Sequence, residues 1–125
     1  SLKIGNILKV MEKQAASTLE YPFGDDVMVY KVMNKMFALI SIKDTSHLNA
    51  MNLKCDPEDA LAYRDIYENV IPGYHMNKKH WNTIYFDKDN SISDEAIIEM
   101  IEESYNLVVS ELTKKQKLEL EAIKK

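Results

Sequence analysis

What this sequence has little of narrows its class first. A single cysteine, Cys55, cannot close an internal disulfide, which excludes a small secreted disulfide scaffold and leads us to expect a reducing, cytoplasmic setting. Three glycines and three prolines in 125 residues, with 46% hydrophobic content, exclude disordered, collagenous and low-complexity chains. No apolar run approaches the ~20 residues that a membrane-spanning helix needs, so no membrane insertion is expected. From Ser1 to Lys13, the lysines Lys3, Lys9 and Lys13 interrupt the apolar residues, so no signal peptide is expected there, and Ser1-Leu2 reads as an appended or processed end. Catalytic signatures are missing too: there is no glycine-rich nucleotide loop, no H-E-x-x-H and no G-x-S-x-G.

What is present suffices for one domain, since a chain of this length hides roughly two thirds of its unfolded surface. Ile4, Ile7, Leu8, Met11 and Ala15 recur at helical spacing, predicting an amphipathic helix over residues 3–19 that Tyr21-Pro22-Phe23-Gly24 ends. Asp26 to Val32, Lys35 to Lys43 and Leu48 to Cys55 are rich in Val, Ile, Met and aromatics and read as an antiparallel β-meander. Met33-Asn34 makes a two-residue turn between the first two, because Asn tolerates the positive φ such a turn requires.

Asp56-Pro57-Glu58-Asp59 is a helix start: a capping Asp, a Pro suited to the first position, and acids for the positive end of the dipole. That helix is expected to run to about Asn69. Tyr74 to Phe86 reads as two short strands joined by a polar turn. Ser93-Asp94-Glu95 opens the last strong helix, striped by Ile97, Ile101, Tyr105, Val108 and Leu112. Met11, Met28, Met36, Met51 and Met100 fall at core positions. The expected fold class is α+β, a two-layer α/β sandwich in the order α-β-β-β-α-β-β-α, with an antiparallel sheet and helices on one face. Residues 1–112 form the single domain and 113–125 a Lys-rich helical extension or tail.

The net charge of −4 hides an asymmetry. Residues 27–55 and 70–86 carry Lys31, Lys35, Lys43, Lys54, Lys78 and Lys79 against Asp44 alone, whereas residues 56–69 and 87–112 are dominated by acids. A basic sheet side opposite acidic helices is the expectation, and a local basic face can attract phosphates because screening confines charges to about 8–10 Å. Lysines also commonly sit on strands only to discourage sheet-to-sheet aggregation. If Met33-Asn34 is the whole turn, strict alternation groups Val27, Val29, Met36, Ala38 and Ile40 on one face. The other face then carries Met28, Tyr30, Lys35, Phe37, Leu39 and Lys43, a mix of aromatics and lysines of the kind that stacks bases and meets phosphates. A one-residue shift would reassign both faces.

The run Pro72-Gly73-Tyr74-His75-Met76-Asn77-Lys78-Lys79-His80-Trp81-Asn82-Thr83 stands apart. It holds two of the three histidines, two lysines and the one Trp, and no acid occurs from Asn69 through Phe86. Together with Tyr21-Pro22-Phe23-Gly24, Lys35-Met36-Phe37-Ala38-Leu39, Leu53-Lys54-Cys55-Asp56-Pro57 and Ser104-Tyr105-Asn106-Leu107-Val108-Val109, this run resembles the MmcQ/YjbR family over roughly residues 5 to 115. Met33-Asn34 is a departure, since such sequences often carry glycines there. The resemblance implies a secretion-chaperone-like, CyaY-like sandwich in small bacterial proteins labelled DNA-binding. Its two wing-like β elements would correspond to the Lys31–Lys35 hairpin and the Asn77–His80 turn.

The leading functional expectation is therefore weak, salt-sensitive and mostly non-specific DNA binding. Lys78 and Lys79 would contact phosphates, helped by Lys35 and Lys54; His75, Asn77, His80 and Asn82 would add hydrogen bonds, and Trp81 would anchor the turn or stack. The alternative is a protein-interaction or chaperone-like module, homodimeric or with a separate partner, using sheet residues such as Val29 or Phe37. An enzyme is the least expected class. Cys55, His47, His75 and His80 could pair in principle, but Cys55 precedes a helix cap where a small packing residue is usual. The histidines match no standard zinc spacing, and the paired acids Asp25-Asp26, Glu58-Asp59 and Glu102-Glu103 read as turn, cap and solvated-helix residues. No catalytic residue, metal or cofactor is expected.

Overall fold

The computed structural model describes residues 4–41, 50–74, 76–86 and 92–124. Helix α1 (Ile4–Lys13) leads into strands β1 (Ser17–Glu20), β2 (Val27–Val32), β3 (Lys35–Ser41) and β4 (Ala50–Lys54). Helix α2 (Pro57–Ile66), strands β5 (Val70–Pro72) and β6 (Trp81–Tyr85), and helices α3 (Asp94–Ser110) and α4 (Lys114–Lys124) complete it. The six strands form one antiparallel sheet in the order β1-β2-β3-β4-β6-β5. The α+β class and the helix-backed sheet stand as expected.

Two elements add to the expected order. The first helix stops at Lys13, because Ala16 takes a left-handed φ of 60° and turns Ser17 to Glu20 into pairing with β2. The Lys-rich end is the helix α4, anchored by the buried Leu120. Two boundaries shift as well. Helix α2 ends at Ile66, and the buried Asn69 is used instead to tie the sheet, donating from Nδ2 to the Tyr85 carbonyl at 3.0 Å. The strand before the polar turn is Val70–Pro72, so residues 73–80 form the connection to β6.

Local signals act as the chemistry requires. Asp56 caps α2, its Oδ1 accepting from Glu58 N at 3.1 Å with Pro57 at the first position, and Ser93 Oγ accepts from Ala96 N at 3.1 Å to open α3. Met33 and Asn34 take φ of 48° and 66°, the doubly positive pair of a type I′ hairpin.

One core holds the layers together. Ile7 and Met11 of α1, the α3 stripe Ile97, Ile101, Tyr105 and Val108 with Leu112 just beyond it, and Leu120 of α4 bury against Met28, Tyr30, Ile40, Met51 and Ile84 of the sheet. The first hairpin departs from strict alternation. Tyr30 faces Ala38 whereas Lys31 faces Met36, so Phe37 is the extra residue of a β-bulge. The bulge sends Phe37 into the helix side, 6.3 Å from the Tyr30 ring and edge-on to Tyr105 at 5.3 Å. The expected platform of aromatics and lysines is thereby corrected: Tyr30 and Phe37 are core residues, and Leu39 changes places with Ala38 and Ile40. Val29 and Phe37, expected as exposed contacts for a partner, are both fully buried.

Ser104 of α3 fastens helix to sheet. Its fully buried hydroxyl donates to the Phe37 carbonyl at 2.6 Å and accepts from Lys54 N at 2.8 Å, bridging β3 and β4 beyond their last paired residues.

Candidate binding surface

The connection 73–80 is built from its own backbone. Gly73 N–H donates to the Trp81 carbonyl at 2.9 Å, and a Cβ on Gly73 would meet Trp81 at 2.9 Å and Met76 at 3.0 Å, so only glycine fits this approach. Asn77 holds the turn: its Oδ1 accepts from Lys79 N at 2.9 Å, and its carbonyl accepts from His80 N at 3.2 Å and Trp81 N at 3.0 Å. Lys78 folds back, donating from Nζ to the Gly73 carbonyl at 3.0 Å, while its own carbonyl accepts from Arg64.

The expected DNA-contacting residues therefore separate into three groups. Lys35, Asn77, Lys78 and Lys79 are exposed and His80 is half-buried. Trp81 and Asn82 belong to the interior. Asn82 is 2% exposed, its Oδ1 accepting from Arg64 Nε at 2.6 Å and its Nδ2 donating to the Ala60 carbonyl at 3.2 Å, so both ends of its amide are engaged within the fold. Trp81 packs beside Val29 and Leu39 on the side of the sheet away from the helices. Lys54 forms a salt bridge with Glu111. His75 lies outside the described residues.

The expected basic sheet side is balanced in part in the same way. Lys31 lies 3.2 Å from Glu20 across the β1–β2 pair, so two of the strand lysines carry glutamate partners supplied by neighbouring elements. Lys43, another of them, lies outside the described residues.

The residue nearest to reactive chemistry is Cys55, and its surroundings keep it quiet. Burial, then the nearby Asp59 and Glu103 carboxylates, pushes its thiol up to about 12, so it stays protonated and weakly nucleophilic at neutral pH. Its backbone N–H donates to the His80 carbonyl at 2.8 Å. His47 lies outside the described residues. Tyr63 donates to Glu103 at 2.7 Å, and burial together with that bond raises its hydroxyl pKa. Among the described residues no three His, Cys, Asp or Glu side chains gather as metal ligands.

A surface missed at the sequence level lies on the helix-free side of the sheet. A cavity of about 380 Å³ is lined by Phe23, Val27, Leu39, Tyr74 and Met76, with Ser41 and Asn52 as its polar members. Phe23 is 60% exposed and Tyr74 62%. Phe23 arrives from the β1–β2 turn and Tyr74 from the 73–80 connection, whose backbone N–H donates to Thr83 Oγ1 at 2.8 Å. The signal for Phe23 was present in Tyr21-Pro22-Phe23-Gly24: large aromatics in a turn, where polar residues usually stand.

These features define a class: a small α+β sandwich whose six-stranded sheet is covered by helices on one side and carries an open apolar groove on the other. A model of the YjbR family matches residues 12–107, and the chain belongs to that family. It is similar to the uncharacterized protein YbdF of Escherichia coli O157:H7, 40% identical over 95 residues that cover 76% of this chain and 75% of YbdF. It is also similar to the uncharacterized protein YjbR of Escherichia coli K12, 33% identical over 87 residues and 70% of each chain. Among solved structures it resembles the Deinococcus radiodurans protein DR2400, of domain DUF419, with a TM-score of 0.83, 32% identity, and coverage of 94% of this chain and 87% of that one. A Pseudomonas syringae protein shares the fold at a TM-score of 0.71 and 23% identity, over 85% of this chain and 98% of that one.

Proposed function

We propose that this protein acts by binding rather than by catalysis, and that it holds a segment of a partner protein in the groove on the helix-free face of its sheet. The observation that carries this reading is the convergence of two exposed aromatic rings, Phe23 and Tyr74, on one apolar cavity of about 380 Å³. Singly scattered apolar side chains are ordinary on a folded surface, whereas a concave apolar site of roughly 300–1,000 Å³ is what ligands occupy. The protonated Cys55 thiol supports the non-catalytic half of the reading.

An NMR titration with N-acetyl-phenylalaninamide tests it, since an isolated anchor residue binds in the millimolar range. The expected result is amide shifts confined to Val27, Leu39, Asn52 and Met76, and their loss in a Phe23→Ala/Tyr74→Ala variant that keeps its circular dichroism. Shifts scattered elsewhere, or equal shifts in the variant, remove the reading.

One observation favours a second reading, DNA. Lys78 and Lys79 stand exposed in a stretch free of acids from Asn69 to Phe86, and phosphate contact needs little more than accessible cations. With Lys54 paired and Trp81 and Asn82 interior, the contacts among the described residues narrow to Lys35, Asn77, Lys78, Lys79 and His80. Duplex DNA titrated at two salt concentrations tests this. Salt-dependent binding lost in Lys78→Glu/Lys79→Glu supports it, and no binding at tens of micromolar removes it.

A further inference from the structure

We infer that the segment held in the groove presents a large apolar side chain flanked by lysine or arginine; this rests on the groove reading above and names its partner's chemistry. The turn that joins β1 to β2 supplies the charge. Phe23 and Val27, at its two ends, both line the groove, so Gly24, Asp25 and Asp26 form its rim. Gly24 takes a φ of 104°, and its carbonyl accepts from Val27 N–H at 3.3 Å, closing a turn with the two aspartates at its exposed corner. Neither aspartate has an ion-pair partner among the described residues.

Of the strand cations, Lys31 is matched by Glu20 and Lys54 by Glu111, while the exposed Lys78 and Lys79 follow Met76 in the 73–80 connection, Lys78 folded back onto the Gly73 carbonyl. No ionised side chain occurs among the described residues that line the groove itself. The surface is thus neutral within and negative at one rim. An acidic segment is repelled there, an uncharged one gains nothing from the rim, and a basic one is drawn to it. A guanidinium has a second contact within reach, the face of the exposed Phe23 ring.

The polar members fit a polypeptide. Thr83 Oγ1 accepts from Tyr74 N–H at 2.8 Å, and its hydroxyl donates in turn to Asn52 Oδ1. With that oxygen committed, Asn52 offers its NH2 to an acceptor, as a peptide carbonyl supplies.

Three capped pentapeptides, acetylated and amidated, separate the possibilities: Ala-Lys-Phe-Lys-Ala, Ala-Ser-Phe-Ser-Ala and Ala-Glu-Phe-Glu-Ala, each titrated into the isotope-labelled full chain. The expected result is that the lysine peptide binds about tenfold more tightly than the glutamate peptide at low salt, with the serine peptide between, and that this gap shrinks at about 0.5 M salt. Asp25→Asn/Asp26→Asn is expected to reduce the gap to about twofold or less while leaving the serine peptide's affinity unchanged. Equal binding of the lysine and glutamate peptides, or a gap that survives in the variant, overturns the inference and leaves the groove reading standing. If none of the three moves the groove amides, the groove reading itself falls. A concentration-dependent dimer that shifts those same amides assigns the groove to a second copy and overturns the inference.

Discussion

The two faces of the sheet are made from alternating residues of the same strands, yet they are finished differently. On one, Met28, Tyr30, Ile40 and Met51 lie under α1 and α3 in the main core. On the other, Val29, Leu39 and Trp81 form a small buried cluster, with Val27, Met36 and Met76 packed half-buried around it. Helices give the first face a continuous lid. On the second, the 73–80 connection contributes Met76 to the cluster and Tyr74 to a groove beside it. Burial under regular elements secures the fold, while a partial cover of loop leaves concave apolar surface available for contact.

Substitutions can break or sharpen this contrast. The largest difference is expected between Phe37 and Leu39, two positions apart on β3 and sent to opposite faces by the bulge at Phe37. Phe37→Ala should cost about 3–5 kcal/mol and Leu39→Ala about 2, measured by urea unfolding; equal losses would mean that the helix-covered face is no better packed. Ser104→Ala should cost about 2 kcal/mol with the slope of the unfolding transition unchanged, because the Phe37 carbonyl and the Lys54 N–H lose their buried partner together.

Gly73→Ala probes the loop side. The added Cβ would crowd the Trp81 backbone, and a loss of about 1–3 kcal/mol, together with altered Trp fluorescence, would mark the connection as clamped to the sheet. The smallest effect is assigned to Lys31→Gln, which removes a partly exposed pair with Glu20 and should change stability by less than about 1 kcal/mol. A larger loss would make the ionic pairing of the outer face structural.

Much of the fold was legible because its signals are local. The α3 stripe is read from spacing alone, the Asp56-Pro57 start from capping chemistry, and the Met33-Asn34 turn from its tolerance of positive φ. Strand β1 was not legible: three of its four residues are exposed, and it becomes a strand through pairing with β2. The bulge at Phe37 was hidden for a similar reason, since alternation describes one strand and a bulge belongs to two.

The charged surface was the least legible part. Counting lysines by segment cannot reveal that Lys54 meets Glu111, 57 residues away, or that Arg64 reaches across 18 residues to hold Asn82. A polar residue advertises hydrogen-bonding capacity in the sequence, but whether that capacity is spent inside the fold is decided by topology.

The sheet's two outermost strands are also its shortest, four residues in β1 and three in β5. Strand β5 ends on Pro72, which has no N–H to give to a newcomer. A foreign strand arriving at either border finds only a few unpaired peptide groups, too few to template growth. A crowded solution of this protein is therefore expected to remain free of ribbon-like polymers built by lateral extension of the sheet.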